Sequence, residues 1–127
     1  MAKFTYILDK KTIRRIFRQE VFERDGYKCR LCGKAGYDHN DGTQRIVRDR
    51  VALDAHHISD RHNMPAGGYV KENGISVCEE CHLKVEHPAE NDIEHQPKNL
   101  YDLIGSSLEI ATKASLALEV AIAKQKR

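Results

Sequence analysis

The four cysteines of this 127-residue chain fall in two C-x-x-C pairs, Cys29-Arg-Leu-Cys32 and Cys78-Glu-Glu-Cys81. That spacing restricts the fold more than any other feature. Each pair sets two sulfurs on one tight turn, and four thiolates so arranged match the tetrahedral, sulfur-rich coordination of structural zinc. One ion held between the pairs would staple the first helix to the strand and helix of the second half. A chain this short builds a single domain with a modest core, and a metal link couples its folding to metal affinity. A filled four-cysteine site has no open position, so any chemistry must come from other side chains. Free buried cysteines and a redox pair are the competing readings; no thioredoxin-like βαβ pattern surrounds either pair.

The formal net charge is only +2, but its distribution is uneven: residues 1–50 hold 13 basic and 7 acidic side chains, and residues 51–127 hold 8 and 12. Such halves suit an anionic partner gripped from the N-terminal part, or simply a solvated surface. No apolar run reaches the length of a membrane span, and the start, MAKFTYILDKK, lacks the apolar region and cleavage site of a secretory leader. A cytoplasmic location is therefore expected, with no membrane partner. A reducing compartment favours thiolate ligands over disulfides.

Asp9 or Thr12 can cap a helix whose apolar positions Ile13, Ile16, Phe17 and Val21 share a face, with Asp25-Gly26 as its stop. The other face carries Lys10, Lys11, Arg14, Arg15 and Arg18, which meet either phosphates or water. Residues 33–43 read as a turn or loop, 45–58 as an extended stretch, and 59–73, with Pro65 and Gly67-Gly68, as a long loop. A short strand at 74–78 and a helix at 79–87 follow, then a polar linker at 88–98. From Asn99 onward apolar residues recur at threes, fours and sevens, which predicts an amphipathic helix over 99–127, with Asn99 and Asp102 as a capping box and Gly105 as a weak point. Its stripe suits packing on its own domain; a second copy or a partner protein is the alternative occupant.

The extended stretch ends on adjacent histidines, His56 and His57, and His82 directly follows the second cysteine pair. Neighbouring residues of a strand point to opposite faces. One imidazole can then bind a metal while the other, on a different vector, takes a proton from water.

These residues together, His56-His57-Ile58, Gly67-Gly68, Asn73 and Cys78-Glu-Glu-Cys81-His82, with VFERDGYKCRLCG around the first knuckle, resemble the HNH nucleases. The resemblance spans about residues 17–87. It implies an α+β fold: a ββα-metal (His-Me finger) core with a four-cysteine structural zinc site, flanked by an N-terminal and a C-terminal helix. The HNH domain would occupy 1–98 and the C-terminal helix 99–127. It also implies hydrolysis of DNA phosphodiesters, by nicking or double-strand cleavage, with one catalytic divalent ion, magnesium, manganese or similar, beside the structural zinc.

Carried over by position, His57 resembles the general base, His56 and His82 the ligands of the catalytic ion, and Asn73 the asparagine that hydrogen-bonds across the loop and holds the base. Some relatives place a ligand four residues after the signature histidine, here Glu86, with His87 beside it. Asp54 shares a strand face with His56 and is a candidate to orient that ligand, or is a surface carboxylate. Arg14, Arg15, Arg18, Arg61 and Lys84 are the candidate DNA contacts, with Lys71 also near the site in sequence. His39, His62 and His95 sit in polar, loop-like text and are expected to face solvent. The rival reading is a zinc-ribbon-like DNA- or protein-binding module in which the histidines are structural; another is a subunit of a larger DNA-processing complex.

Overall fold

The computed structural model of the chain describes residues 8–41, 49–86 and 99–125. The expected linker at 88–98, His87, His95 and the first part of the extended stretch lie outside them.

Helix α1 (Lys10–Arg24) begins where Asp9 accepts the Thr12 amide proton at 2.7 Å, the side-chain cap that its composition predicts. Phe17, Val21 and Phe22 form its buried side. Strands β1 (Gly36–Asp38), β2 (Val51–His57) and β3 (Gly74–Cys78) make a three-stranded sheet in that order, β1–β2 parallel and β2–β3 antiparallel. Helix α2 (Glu79–Glu86) leaves β3 directly. Thus β2, β3 and α2 form the expected ββα unit within a mixed α+β fold. The core joins Phe17, Val21 and Phe22 to Leu53, Ile75, Val77 and three of the cysteines. All five residues of β3 are buried, as expected of an apolar strand covered on both faces.

Three segments differ from their sequence expectations. The loop at 33–43 contains β1, because Gly36 lets the chain approach β2 more closely than any side chain permits: a Cβ there would lie 2.4 Å from Leu53 Cγ. The loop at 59–73 is ordered as tight 3₁₀ turns at 61–63 and 71–73 around a kinked turn at 65–68. The C-terminal helix is two helices, α3 (Leu100–Leu103) and α4 (Leu108–Gln125). Gly105 breaks it with a φ of 66°, and Ser107 Oγ accepts the Ile110 amide at 3.1 Å to start α4. Asn99 caps α3 through Tyr101 N–H rather than through the Asp102 pairing.

The C-terminal helices pack on the 61–73 turns through a second cluster of Met64, Tyr101 and Ala111. The Ala66 amide also donates to Glu119 on α4 at 3.2 Å. The stripe of α4 faces its own domain, with Ala111 and Ser115 buried and Leu118 and Ile122 half-buried; Leu108 at its start, and Ile110, Leu116 and Val120 away from it, stay about half exposed.

Asp25, read in the sequence only as part of a stop signal, is a buried anchor. Arg24 grips its carboxylate twice, each contact 2.8 Å, and the Ser76 amide donates to it at 2.9 Å. Arg24 also donates to the Gly74 carbonyl at 2.7 Å, so the pair ties the end of α1 to β3. Removing one member of such a pair strands the other and an amide proton. Asp25→Ala is expected to cost about 3 kcal/mol of stability in urea titrations carried out with zinc present.

Candidate active site and metal centres

The first knuckle is closed by Gly33 N–H donating to Cys29 O at 2.8 Å and by Cys29 N–H donating to Lys34 O at 2.9 Å. The second sits where β3 passes into α2, so Cys78 ends the strand and Cys81 lies in the first turn. The four sulfurs lie within 4.8 Å of one another. A tetrahedron built on Zn–S bonds of about 2.3 Å has edges of about 3.8 Å. Cys32 and Cys78 Sγ are 3.8 Å apart. Burial raises the Cys29 thiol, but the backbone N–H groups of Cys32, Cys78 and Leu31 outweigh it and bring the thiol down to about 7. Donor type, spacing and amide dipoles all suit a zinc-held thiolate.

The β2–β3 register sets His56 opposite Ile75 and His57 opposite Gly74, and alternation turns the two imidazoles to different faces. His56 faces α2, its ring centroid 5.0 Å from that of His82. One ligand atom each from His56, His82 and Glu86 lies within 4.8 Å of the others, a second donor cluster among the described residues. Two imidazoles and a carboxylate suit a borderline divalent ion and leave positions for solvent and substrate. His87 lies outside the described residues.

Asp54 shares this face, but its partner is His82 rather than His56. Its Oδ2 lies 3.3 Å from His82 Nδ1, and its Oδ1 lies 3.1 Å from His39 Nε2. The Asp54 hydrogen bond raises the His82 pKa against the effect of burial, with Glu86 adding to it. Asp54 in turn is lowered, chiefly by the His82 hydrogen bond. The Asp54 contact engages Nδ1 and leaves Nε2, which lies 2.9 Å from Glu86 Oε1, on the donor cluster. His39 is exposed, as expected, and its ring also reaches Asp54; no sequence spacing signals that contact across a loop.

His57 faces α1. Its ring stacks on Phe17, with centroids 4.6 Å apart and planes at 21°, and meets Tyr69 edge-on at 4.5 Å. Its Nε2 is buried with no hydrogen-bond partner. Burial lowers the His57 pKa to about 4, helped by the Arg61 charge and opposed by Asp60. Burial also brings His56 to about 4, helped by the charge of His82. Both imidazoles line one cleft of about 550 Å³, together with Arg61, His82 and Glu86.

Asn73 is fully buried with every side-chain valence used. Its Nδ2 donates to Ser59 O at 3.1 Å and Gly68 O at 3.2 Å, while its Oδ1 accepts from Ser59 N at 3.0 Å and Tyr101 OH at 2.6 Å. Rotating the amide by half a turn would set donor against donor at Ser59 N, so the network defines its orientation. Its backbone carbonyl accepts the Ile58 amide at 2.9 Å, next to His57. Gly68 is required here: its φ is +67°, and a Cβ would sit 2.6 Å from Asn73 Nδ2.

The candidate DNA contacts separate. The Arg14 guanidinium carbon lies 5.9 Å from the Tyr69 ring centroid, and Arg61 donates to the Tyr69 hydroxyl at 3.5 Å, so both converge beside His57. Arg15 is exposed on α1, 3.3 Å from Gln19. Arg18 is drawn inward to pair with Asp38 at 2.7 Å and is only 19% exposed, which removes it from the free basic face. Lys84 lies on outer α2 beside Glu80 at 3.7 Å and does not line the cleft. Lys71 and His62 are exposed. Of the two rings that enclose His57, Phe17 is legible in the sequence only as part of the apolar face of α1, and Tyr69 carries no signal there beyond being aromatic.

Residues 29–87 match the family model described as HNH endonuclease. With the four-cysteine cluster and the ββα unit in that span, the segment is an HNH endonuclease domain. Comparison with curated proteins and with solved structures returns no match. Among the described residues no helix is long and apolar enough to cross a membrane.

Two outcomes are expected. Asp54→Ala frees His82 Nδ1 and should weaken binding of added manganese by the His56, His82 and Glu86 donors about 10- to 100-fold in calorimetric titration, with the metal content of the four-cysteine cluster unchanged. The second concerns pH. His57 has a folded pKa near 4 against its ordinary 6.5, so its contribution to stability is present above pH 6.5 and is lost as pH falls towards 4. On unfolding, the wild type should take up about half a proton more than His57→Gln at pH 6.5 and close to one more near pH 5, read from the pH dependence of urea midpoints. Equal slopes would contradict a buried neutral ring.

Proposed function

We propose that the protein is a metal-dependent endonuclease that hydrolyses DNA phosphodiester bonds in the cleft between β2, α2 and the 58–61 turn. The observation that carries this reading is the division of labour between adjacent histidines: His56 joins His82 and Glu86 in a donor cluster, while His57 borders the same cleft from the other strand face. A purely zinc-stapled binding module needs neither the second donor cluster nor the cleft beside it.

His57 acts as the base that removes a proton from the attacking water. With Nε2 sealed against Phe17 and Tyr69, the proton is taken through Nδ1. A pKa near 4 keeps the ring unprotonated at neutral pH but makes it a weaker base than a free imidazole. A divalent ion held by His56, His82 and Glu86 would supply the Lewis acidity that makes this sufficient, by offsetting charge on the phosphate and the leaving oxygen. Arg61 lies where it can neutralise a phosphate oxygen in the cleft, and Arg14 and Arg15 hold the flanking backbone phosphates from α1. Asn73 holds the turn after His57 and so fixes where the base points. Asp54, itself held by His39, fixes His82.

Supercoiled plasmid incubated with zinc-loaded protein and manganese or magnesium should be converted to open-circular or linear DNA, and chelation of the added ion should stop it. His57→Ala should lower the cleavage rate at least about 10²-fold while retaining one zinc per chain and a cooperative melt. Undiminished cutting by His57→Ala removes that residue from the mechanism. DNA binding without scission at high protein concentration would favour the non-catalytic module.

A further inference from the structure

We infer that Tyr101, which lies outside the matched HNH segment, is a positioning residue for the nuclease reaction: its hydroxyl completes the clamp that holds the turn following His57. The inference rests on the nuclease reading above for its catalytic consequence, but the clamp itself is a matter of geometry. Tyr101 Oη donates to Asn73 Oδ1 at 2.6 Å and lies 2.7 Å from Ser59 Oγ. A phenol has one proton, which goes to Asn73, so Ser59 donates to the phenol and the three groups form one directed chain. Both ends of the chain return to the same turn. Ser59 N–H donates to Asn73 Oδ1 at 3.0 Å, and Ile58 N–H, one residue closer to His57, donates to Asn73 O at 2.9 Å.

The phenol is itself held from several sides. Tyr101 is 7% exposed and packs with Met64 and Ala111. The α3 helix that carries it is anchored by Arg30, which donates to Leu103 O from the first zinc knuckle, and by Ser106 Oγ, which donates to Glu72 O at 3.0 Å. A ring fixed in this way delivers its hydroxyl at one place. Buried hydrogen-bond chains strengthen one another in a low-dielectric interior and rigidify the groups they join. Without the hydroxyl, Asn73 Oδ1 keeps only the Ser59 amide, and the Ser59 hydroxyl loses its acceptor. The turn behind His57 then gains freedom while the cleft, both donor clusters and the basic side chains stay intact. The C-terminal helices are in this sense part of the nuclease site.

The test is Tyr101→Phe in the full-length, zinc-loaded protein, which keeps the ring and removes only the oxygen. Two readouts are taken. The first, independent of catalysis, is amide hydrogen exchange: Ser59 N–H should lose protection about tenfold relative to wild type, while core amides of β3 change less than about twofold. The second is single-turnover plasmid cleavage with manganese. The rate constant at saturating protein should fall about five- to tenfold, with DNA affinity and zinc content within about twofold of wild type. Unchanged Ser59 protection overturns the clamp. Altered protection with an unchanged cleavage rate overturns the link to catalysis. Failure of Tyr101→Phe to fold, or a loss of DNA affinity matching the loss of rate, assigns the hydroxyl a structural role and also overturns the inference. If the wild type itself does not cleave, the nuclease reading fails, and the exchange result still decides the clamp.

Discussion

The five-pair ladder between β2 and β3 is the constraint on which the site depends, because its register decides which imidazole faces which helix. A strand alternates its side chains with a period of two, so a slip of one residue would exchange the environments of His56 and His57. The slip is blocked at both ends. Cys78 must reach the other three sulfurs from the last position of β3, and Asn73 must reach the turn after β2 from the position before β3. The zinc knuckles and the asparagine clamp thus hold one register from opposite ends, about five residues apart along the strand.

That register creates two environments from one dipeptide. On the α2 side the surroundings are polar and rich in donors: His56, His82 and Glu86 converge, while Asp54 joins His82 to His39. On the α1 side they are aromatic: Phe17 and Tyr69 enclose His57 and favour its neutral form. Burying an imidazole in this way costs stability at low pH and lowers its intrinsic basicity. In the proposed reaction, His57 is a base that is unprotonated at neutral pH and acts beside the charge that a divalent ion on His56, His82 and Glu86 would supply.

Much of the fold was legible beforehand, for identifiable reasons. Asp9 and the apolar face of α1, the short apolar strand at 74–78 and the helix that starts within the second knuckle all rest on local rules of capping, periodicity and turn chemistry, which act over a few residues. β1 was not legible, since its pairing depends on Gly36 meeting an edge that another segment supplies. The tight turns at 61–73 were hidden because irregular backbone held by one buried asparagine has no periodicity to detect. Arg18 shows the same limit from the other side: its helix face predicted an exposed cation, and only the position of Asp38 drew it inward.

By itself the sequence determined the donors and their order: four thiols in two knuckles, adjacent histidines at a strand end, a third histidine behind the last cysteine, and an asparagine five residues before Cys78. These are covalent facts, and strand alternation alone separates His56 from His57. Only the tertiary structure decided which groups support them. Asp54 meets His82 rather than His56, His39 crosses a loop to hold Asp54, and Tyr101 comes from outside the matched segment to bond Asn73. The reason is physical: a hydrogen bond between residues 28 apart in the chain, as between Asn73 and Tyr101, depends on where two packed elements place their side chains to within an ångström, and no local propensity records that distance.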